Sequence, residues 1–187
     1  MDKPSLRTHF KQLRERCSKT EQVMSSEAIC QRIIQLPLYQ QAKTIALYRA
    51  KGKEVLLDIL WKDALRAGKC IAFPVIQHNA LLFIPATATT IFKKNQFGIE
   101  EPVSPYPPAL VLDNLDLVCC PLLAYDKQGH RLGYGGGFYD RSFQNHSHLQ
   151  RLGVAFSFQE APTIPRDPWD LPLHVIVTEK TTHWILP

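Results

Sequence analysis

No stretch of eighteen apolar residues occurs in this 187-residue chain, which excludes a membrane-spanning helix on length alone. Cys-x-x-Cys is absent as well. The five cysteines, Cys17, Cys30, Cys70, Cys119 and Cys120, are odd in number, and the last two adjoin in an apolar run. Such a set argues against a disulfide framework or a zinc site and predicts buried thiols in a reducing, cytoplasmic setting. The opening residues, Met1-Asp2-Lys3-Pro4-Ser5, are polar and lead into a charged helix, unlike a secretory leader. No Gly-x-x-x-x-Gly-Lys-Ser/Thr segment is present, so a P-loop is excluded. Glycine itself is sparse, and five of the nine fall within residues 126–141.

Hydrophobic residues make up 45% of the chain, enough for one sizeable core, and the length is too short for two domains. A single domain over 1–187 is expected, including an N-terminal helix over 3–18. The net charge of +5 admits an anionic ligand without requiring nucleic acid. Lys3, Arg7, Lys11, Arg14, Arg16 and Lys19 cluster near the start, and a set of this kind ordinarily forms a solvated helix face.

Asp2 and Pro4 suit a helix start, and Leu6, Phe10, Leu13 and Cys17 then recur at helical spacing. A second helix is expected over 25–36, with Ile29, Ile33 and Ile34 inward and a stop before Pro37. Residues 44–48 form a short apolar run, read as a strand. Residues 55–67 carry helical periodicity through Leu56, Ile59, Leu60 and Leu65, ending at Gly68. Strands follow over 70–75, ending at Pro74, and over 81–84, at an edge. Residues 85–112 are rich in Pro and Thr and read as a long functional loop. The run over 115–123 is apolar without alternation, so it should be a strand covered on both faces. A helix begins over 139–143, and strands are expected over 151–156 and 174–178. Strands and helices alternating in this order predict an α/β fold with a mostly parallel sheet. Ligands in such sheets bind beyond the carboxyl ends of the strands, and the glycine-rich segment follows the strongest strand.

That segment reads Gly129-His130-Arg131-Leu132-Gly133-Tyr134-Gly135-Gly136-Gly137-Phe138-Tyr139-Asp140-Arg141. Glycine lets a ligand approach bare backbone, and N–H groups flanked by Arg131 and Arg141 would cradle an anion such as phosphate. It is not the dinucleotide fingerprint, because Phe138 stands where a third glycine or alanine would be. On residues alone, a flexible turn between strand and helix stays open.

The thirteen positions closely resemble the signature of the 5-formyltetrahydrofolate cyclo-ligases, also called 5,10-methenyltetrahydrofolate synthetases. The resemblance extends along the chain. Lys3-x-x-x-Arg7 is similar to the family's basic N-terminal motif, and Gly52-Lys53-Glu54 to its acidic position before a helix. Gly98-Ile99-Glu100-Glu101-Pro102 resembles Gly-Ile-x-Glu-Pro. Trp169-Asp170-x-Pro172-Leu173, followed by Val177-Thr178-Glu179, resembles the C-terminal pattern. The resemblance implies a three-layer Rossmann-like sandwich with a mostly parallel central sheet, related to sheets that bind sugar phosphates and coenzyme A. It implies a ligase closing a cyclic C–N bond. The formyl oxygen of 5-formyltetrahydrofolate attacks the γ-phosphate of ATP, N10 closes the ring, and 5,10-methenyltetrahydrofolate, ADP and phosphate are released, with Mg²⁺ as the metal.

Carried over residue by residue, Lys3, Arg7, Arg131, Leu132, Gly133, Tyr134, Gly135, Gly136, Gly137, Phe138 and Tyr139 would meet ATP, with Arg131 and Tyr139 catalytic. Glu54 and Tyr139 would meet the folate, and Asp140 and Asp170 would hold Mg²⁺. Each has a plainer reading: a helix cap for Asp140, a turn for Asp170, a first-turn helix acid for Glu54, core for Phe138 and Tyr139. Lys11, Arg14 and Arg16 keep the solvated-face reading, as they lie outside the motif. Phe73, Pro74 and Phe83 are pterin-pocket walls or ordinary core. His174 stands where many members have an acid, which bears on metal binding. His130, His146, His148, His174 and His183 lack metal-ligand spacing and read as surface residues. The expected partners are ATP and 5-formyltetrahydrofolate, polyglutamylated or not, with no nucleic acid or membrane and a monomeric chain. The alternatives are a non-catalytic phosphate- or nucleic-acid-binding protein and a related-fold enzyme with another phosphorylated substrate.

Overall fold

A computed structural model describes every residue except Ser104, Tyr106, Ser147, Leu186 and Pro187. Asp2 caps helix α1 (Lys3–Arg16) by accepting the Ser5 N–H at 2.9 Å. Helix α2 (Lys19–Ile34) starts six residues before its expected onset at 25, because Ser18 and Glu21 form a reciprocal capping box. Pro37 does not merely stop α2; it opens the short helix α3 (Pro37–Gln41). Strand β1 (Thr44–Ala46) and helix α4 (Asp58–Arg66) follow, so Glu54 lies in the loop ahead of α4 rather than in its first turn.

Strand β2 (Cys70–Gln77) runs through Pro74 rather than ending there, and it pairs with the antiparallel edge strand β3 (Ala80–Ala86). On β2 the carbonyl of Ala72 accepts from Leu47, and the N–H of Ile76 reaches the Glu101 carboxylate, both away from β3. By alternation the missing N–H of Pro74 would point that way too, past the end of β1. No ladder bond is lost there.

The expected loop over 85–112 is not structureless. It holds a hairpin, β4 (Phe92–Lys94) with β5 (Glu100–Pro102), docked on β2 through Glu101. Ser104 and Tyr106, also within it, lie outside the described residues. Strand β6 (Leu117–Pro121) leads to a second hairpin, β7 (Ala124–Tyr125) with β8 (Arg131–Leu132), then to helix α5 (Phe138–Phe143) and strand β9 (Gln150–Val154). Strand β10 (Val175–Val177) is flanked by β11 (Thr182–Trp184), an antiparallel edge the sequence reading missed.

The seven-stranded sheet has the order β11-β10-β9-β6-β1-β2-β3, and all its neighbours are parallel except at the two edges. β6 is the middle strand and is buried on both faces, as its unbroken apolar run predicts. One face packs Ile45, Ile71, Leu117 and Cys119 under Ile29, Ile33 and Leu60 of α2 and α4. The other packs Val118, Cys120 and Phe83 under Phe143 of α5. The sandwich is therefore three-layered. Alternation sends the adjoining Cys119 and Cys120 to opposite faces, where burial pushes both thiols up. Cys70 departs from the buried-thiol expectation, because it is exposed.

A third, smaller core seats α1, whose Leu6 and Phe10 cover Leu123, Ala124, Leu132, Ala161 and Ile164. Gly153 of β9 leaves no room for a side chain: an added Cβ would stand 2.5 Å from Leu173 Cδ1 and 3.2 Å from Leu122 Cδ2. Both neighbours are buried and cannot swing aside. Gly153→Ala should therefore destabilise the protein by about 1–3 kcal/mol, read as a lower urea midpoint. An unchanged midpoint would show that the two leucines repack freely.

Candidate active site

The chain leaves β1 toward β2 on one side and returns as β6 on the other. This is the topological switch at which open α/β sheets leave a crevice beyond their carboxyl ends. A cavity of about 580 Å³ occupies that crevice. It is lined by all fourteen residues singled out in the sequence: Lys3, Arg7, Glu54, Arg131, Leu132, Gly133, Tyr134, Gly135, Gly136, Gly137, Phe138, Tyr139, Asp140 and Asp170.

The glycine segment forms the cavity floor between β8 and α5. Gly137 opens α5 at φ 64°, a left-handed cap conformation that a side chain would strain. Asp140 accordingly sits inside the helix and is not its cap. Its Oδ1 accepts from Arg131 Nη2 at 2.6 Å and from the Leu171 N–H at 3.1 Å. Arg131 also donates through Nη1 to the Leu171 carbonyl at 2.6 Å, and its side chain is 6% exposed. One buried guanidinium thus ties the glycine segment to the C-terminal Trp-Asp segment.

From α1, Arg7 donates through Nε to the Gly133 carbonyl at 3.0 Å, with the rest of its guanidinium beside Gly135. Lys3 Nζ bridges Asp167 Oδ2 at 2.5 Å and Asp170 Oδ2 at 2.6 Å. Burial opposes the Lys3 ammonium, but these two carboxylates hold its pKa above the ordinary value. Burial likewise opposes the Asp170 carboxylate, and the Asp167 N–H together with Lys3 holds it below the ordinary range. Asp170 is also a turn residue, accepting the Asp167 N–H at 2.9 Å, so its plainer reading holds alongside its place in the cavity. Asp167 was missed in the sequence because it lies just outside the Trp-Asp pattern.

Glu54 is 6% exposed. Its Oε2 accepts the Lys51 N–H at 2.8 Å and its Oε1 the Tyr134 hydroxyl at 2.9 Å. Burial raises its pKa, against the pull of the Lys51 N–H, Arg14 and Tyr134. Tyr139 lines the cavity, where burial raises its phenol well above the ordinary value. Phe138 is half-buried against α5's core, consistent with both of its readings.

Arg14 is not on a solvated face: it is 3% exposed and contacts Tyr134 and Glu54. It follows Phe10 by four residues, which places it on the apolar stripe. Phe73 and Phe83 are core, the first against Trp61 and Phe92 and the second stacked on Phe143, and only Pro74 of the three reaches the cavity. His174 does not line the cavity. Its Nδ1 accepts the Arg151 N–H at 2.9 Å, and burial lowers its pKa to about 4. Of the five histidines read as surface, only His148 is exposed; the others are partly buried. The fold also supplies what spacing lacks, bringing Asp113, His146 and His148 within 4.8 Å at the opposite end of β6 and β9. Glu179, part of the C-terminal pattern, serves structure: it accepts from the Ser157 N–H and hydroxyl at 2.9 and 2.5 Å.

Comparison with known proteins shows the family and the fold. The model of the 5-formyltetrahydrofolate cyclo-ligase family matches residues 1–179. A 5-formyltetrahydrofolate cyclo-ligase of Haemophilus influenzae is 35% identical over 178 residues, covering 92% of this chain and 95% of that protein. The structure of Aquifex aeolicus 5,10-methenyltetrahydrofolate synthetase superposes with a TM-score of 0.88 at 32% identity, over 100% of this chain and 94% of that one. The Mycoplasma pneumoniae synthetase gives 0.78 at 26% identity, over 96% and 99%. Matched in sequence almost from end to end and in fold over its whole length, the chain belongs to the 5-formyltetrahydrofolate cyclo-ligase family.

Proposed function

We propose that this cavity carries out the cyclisation of 5-formyltetrahydrofolate to 5,10-methenyltetrahydrofolate, coupled to cleavage of ATP to ADP and phosphate. One observation carries the reading: the N-terminal cations, Glu54, the glycine segment and the C-terminal aspartates all converge on one cavity. In this reading the phosphates lie along Gly133 to Gly137, where backbone N–H groups, Lys3, Arg7 and Arg131 spread their charge. Phosphoryl transfer asks the protein for positioning and charge neutralisation, which these groups provide. Glu54 accepts hydrogen bonds from the donor edge of the pterin, and Tyr139 borders it. With the formyl oxygen phosphorylated, N10 closes the ring and phosphate leaves.

The donor set fits Mg²⁺. Asp140, Asp167 and Asp170 offer carboxylate oxygens beside the phosphate cradle, the ligands a hard cation takes. Asp140 and Asp170 would hold it; when bound, it withdraws charge from the phosphoryl oxygens. The acids and cations are already paired, Arg131 with Asp140 and Lys3 with Asp170, so each of the four has an opposite charge before and after nucleotide binding. The active chain acts as a monomer on free or polyglutamylated folate.

A basic α1 face for nucleic acid is disfavoured, because Lys3, Arg7 and Arg14 are engaged within the fold. The deciding test mixes protein, 5-formyltetrahydrofolate, ATP and Mg²⁺ and follows near-ultraviolet absorbance. Product should form in the full mixture and cease when ATP is omitted or Mg²⁺ chelated. Folded protein without turnover would refute the reading.

A further inference from the structure

Arg14 is buried, yet it is not among the residues lining the cavity. Its Nη2 donates to the Tyr134 hydroxyl, and its Nη1 lies 3.8 Å from Glu54 Oε1. Among the described residues, Nε and Nη1 have no hydrogen-bond partner. A guanidinium held this way is costly, and a methionine of similar length would fill the same stripe beside Phe10 without that cost. The charge must therefore matter to what it faces.

It faces a fixed carboxylate on the proposed folate side, Glu54. Tyr134 takes a hydrogen bond from Arg14 and gives one to Glu54 Oε1 at 2.9 Å, while the Lys51 N–H holds Oε2 at 2.8 Å. The Tyr134 ring stands at the cavity wall, 5.3 Å from the Arg14 guanidinium carbon. We propose that Arg14 is a positioning residue: acting through Tyr134, it orients Glu54 and keeps it a hydrogen-bond acceptor for the folate, without itself touching substrate. This rests on Glu54 being the folate contact.

Burial alone drives Glu54 toward its neutral form. The titratable groups facing it are Arg14 from α1, Lys51 on its own loop, Tyr48 after β1, Tyr134 on the glycine segment and Tyr139 on α5. Arg14 and Lys51 are the cations among them, and both favour the ionised carboxylate against that burial. Loss of Arg14 should shift Glu54 further upward.

The experiment is steady-state turnover of Arg14→Met, Arg14→Lys and Glu54→Gln across pH. Arg14→Met should raise KM for 5-formyltetrahydrofolate about 10- to 100-fold, the loss of one hydrogen bond to a charged group, and leave KM for ATP within about twofold. The acid limb of kcat/KM should move to higher pH, since that limb reports the free enzyme's groups. Arg14→Lys should recover part of both effects. Equal changes in both KM values, or an unmoved acid limb, would overturn the proposal. If Glu54→Gln leaves the folate KM unchanged, the assignment of Glu54 fails; if it raises that KM while Arg14→Met does not, only the role of Arg14 fails. Should Arg14→Met not fold, Tyr134→Phe removes only the bridging hydroxyl and keeps the backbone of the glycine segment, and it must raise the folate KM more than the ATP KM.

Discussion

Arg131→Ala should lower kcat by about 10²- to 10³-fold, the loss seen when one donor to a developing anion is removed. Arg131 lines the cavity, and its guanidinium is held at 2.6 Å by Asp140 on one arm and the Leu171 carbonyl on the other. Its orientation is therefore fixed before any phosphate arrives, and no reorganisation is needed at the moment of transfer. The folate KM should change little, because the proposed reading sets Arg131 against the phosphates. The truncation also strands the Leu171 carbonyl and the Asp140 carboxylate, costing about 1–3 kcal/mol of stability. Arg131→Lys separates the two effects: it restores charge but cannot reach both anchors with one planar fork. It should recover stability more than rate. A kcat within tenfold of the parent for Arg131→Ala would remove Arg131 from the chemistry.

Asp140→Asn should reduce kcat/KM on the order of 10²-fold or more and raise the Mg²⁺ concentration needed for half-maximal rate. Asparagine keeps an oxygen for the Arg131 and Leu171 donors, so the fold should survive with its melting temperature little changed. What it loses is the charge a hard cation requires. The decisive measurement needs no turnover: ATP affinity by calorimetry, with Mg²⁺ and with chelator. The parent should bind more tightly with Mg²⁺, and in Asp140→Asn that difference should shrink. An unchanged difference would assign the metal to Asp170 and Asp167 instead.

Much of this site was legible because its residues sit in spaced motifs whose types the chemistry demands. Gly133 through Gly137 marked the floor, and Lys3 and Arg7, four apart, marked one helix face. The central strand was legible because burial on both faces leaves an unbroken apolar run. What escaped is what depends on distant partners. The β4–β5 hairpin is built from Phe92-Lys93-Lys94 and Glu100-Glu101-Pro102, too short and polar to announce strands, and it is fixed instead by Glu101 reaching Ile76. β11, Thr182–Trp184, is half polar because one of its edges is free. Two misses did leave a trace: Ser18 and Glu21 spell a capping box, and Arg14 falls at helical spacing from Phe10. The burial of Arg14 was misread because its compensation comes from Glu54 and Tyr134, 40 and 120 residues away along the chain.

The bonds from Lys3 to Asp167 and Asp170 span 164 and 167 residues of sequence. At ordinary rates of synthesis, α1 would wait roughly 10–30 s for those partners to emerge. The residues that cover Leu6 and Phe10, from Leu123 to Ile164, also emerge late. The first helix made is thus among the last to dock, and through that interval its apolar stripe stays bare. Docking of α1 closes the fold, and a nascent chain short of Leu123 carries a helix with nowhere to bind.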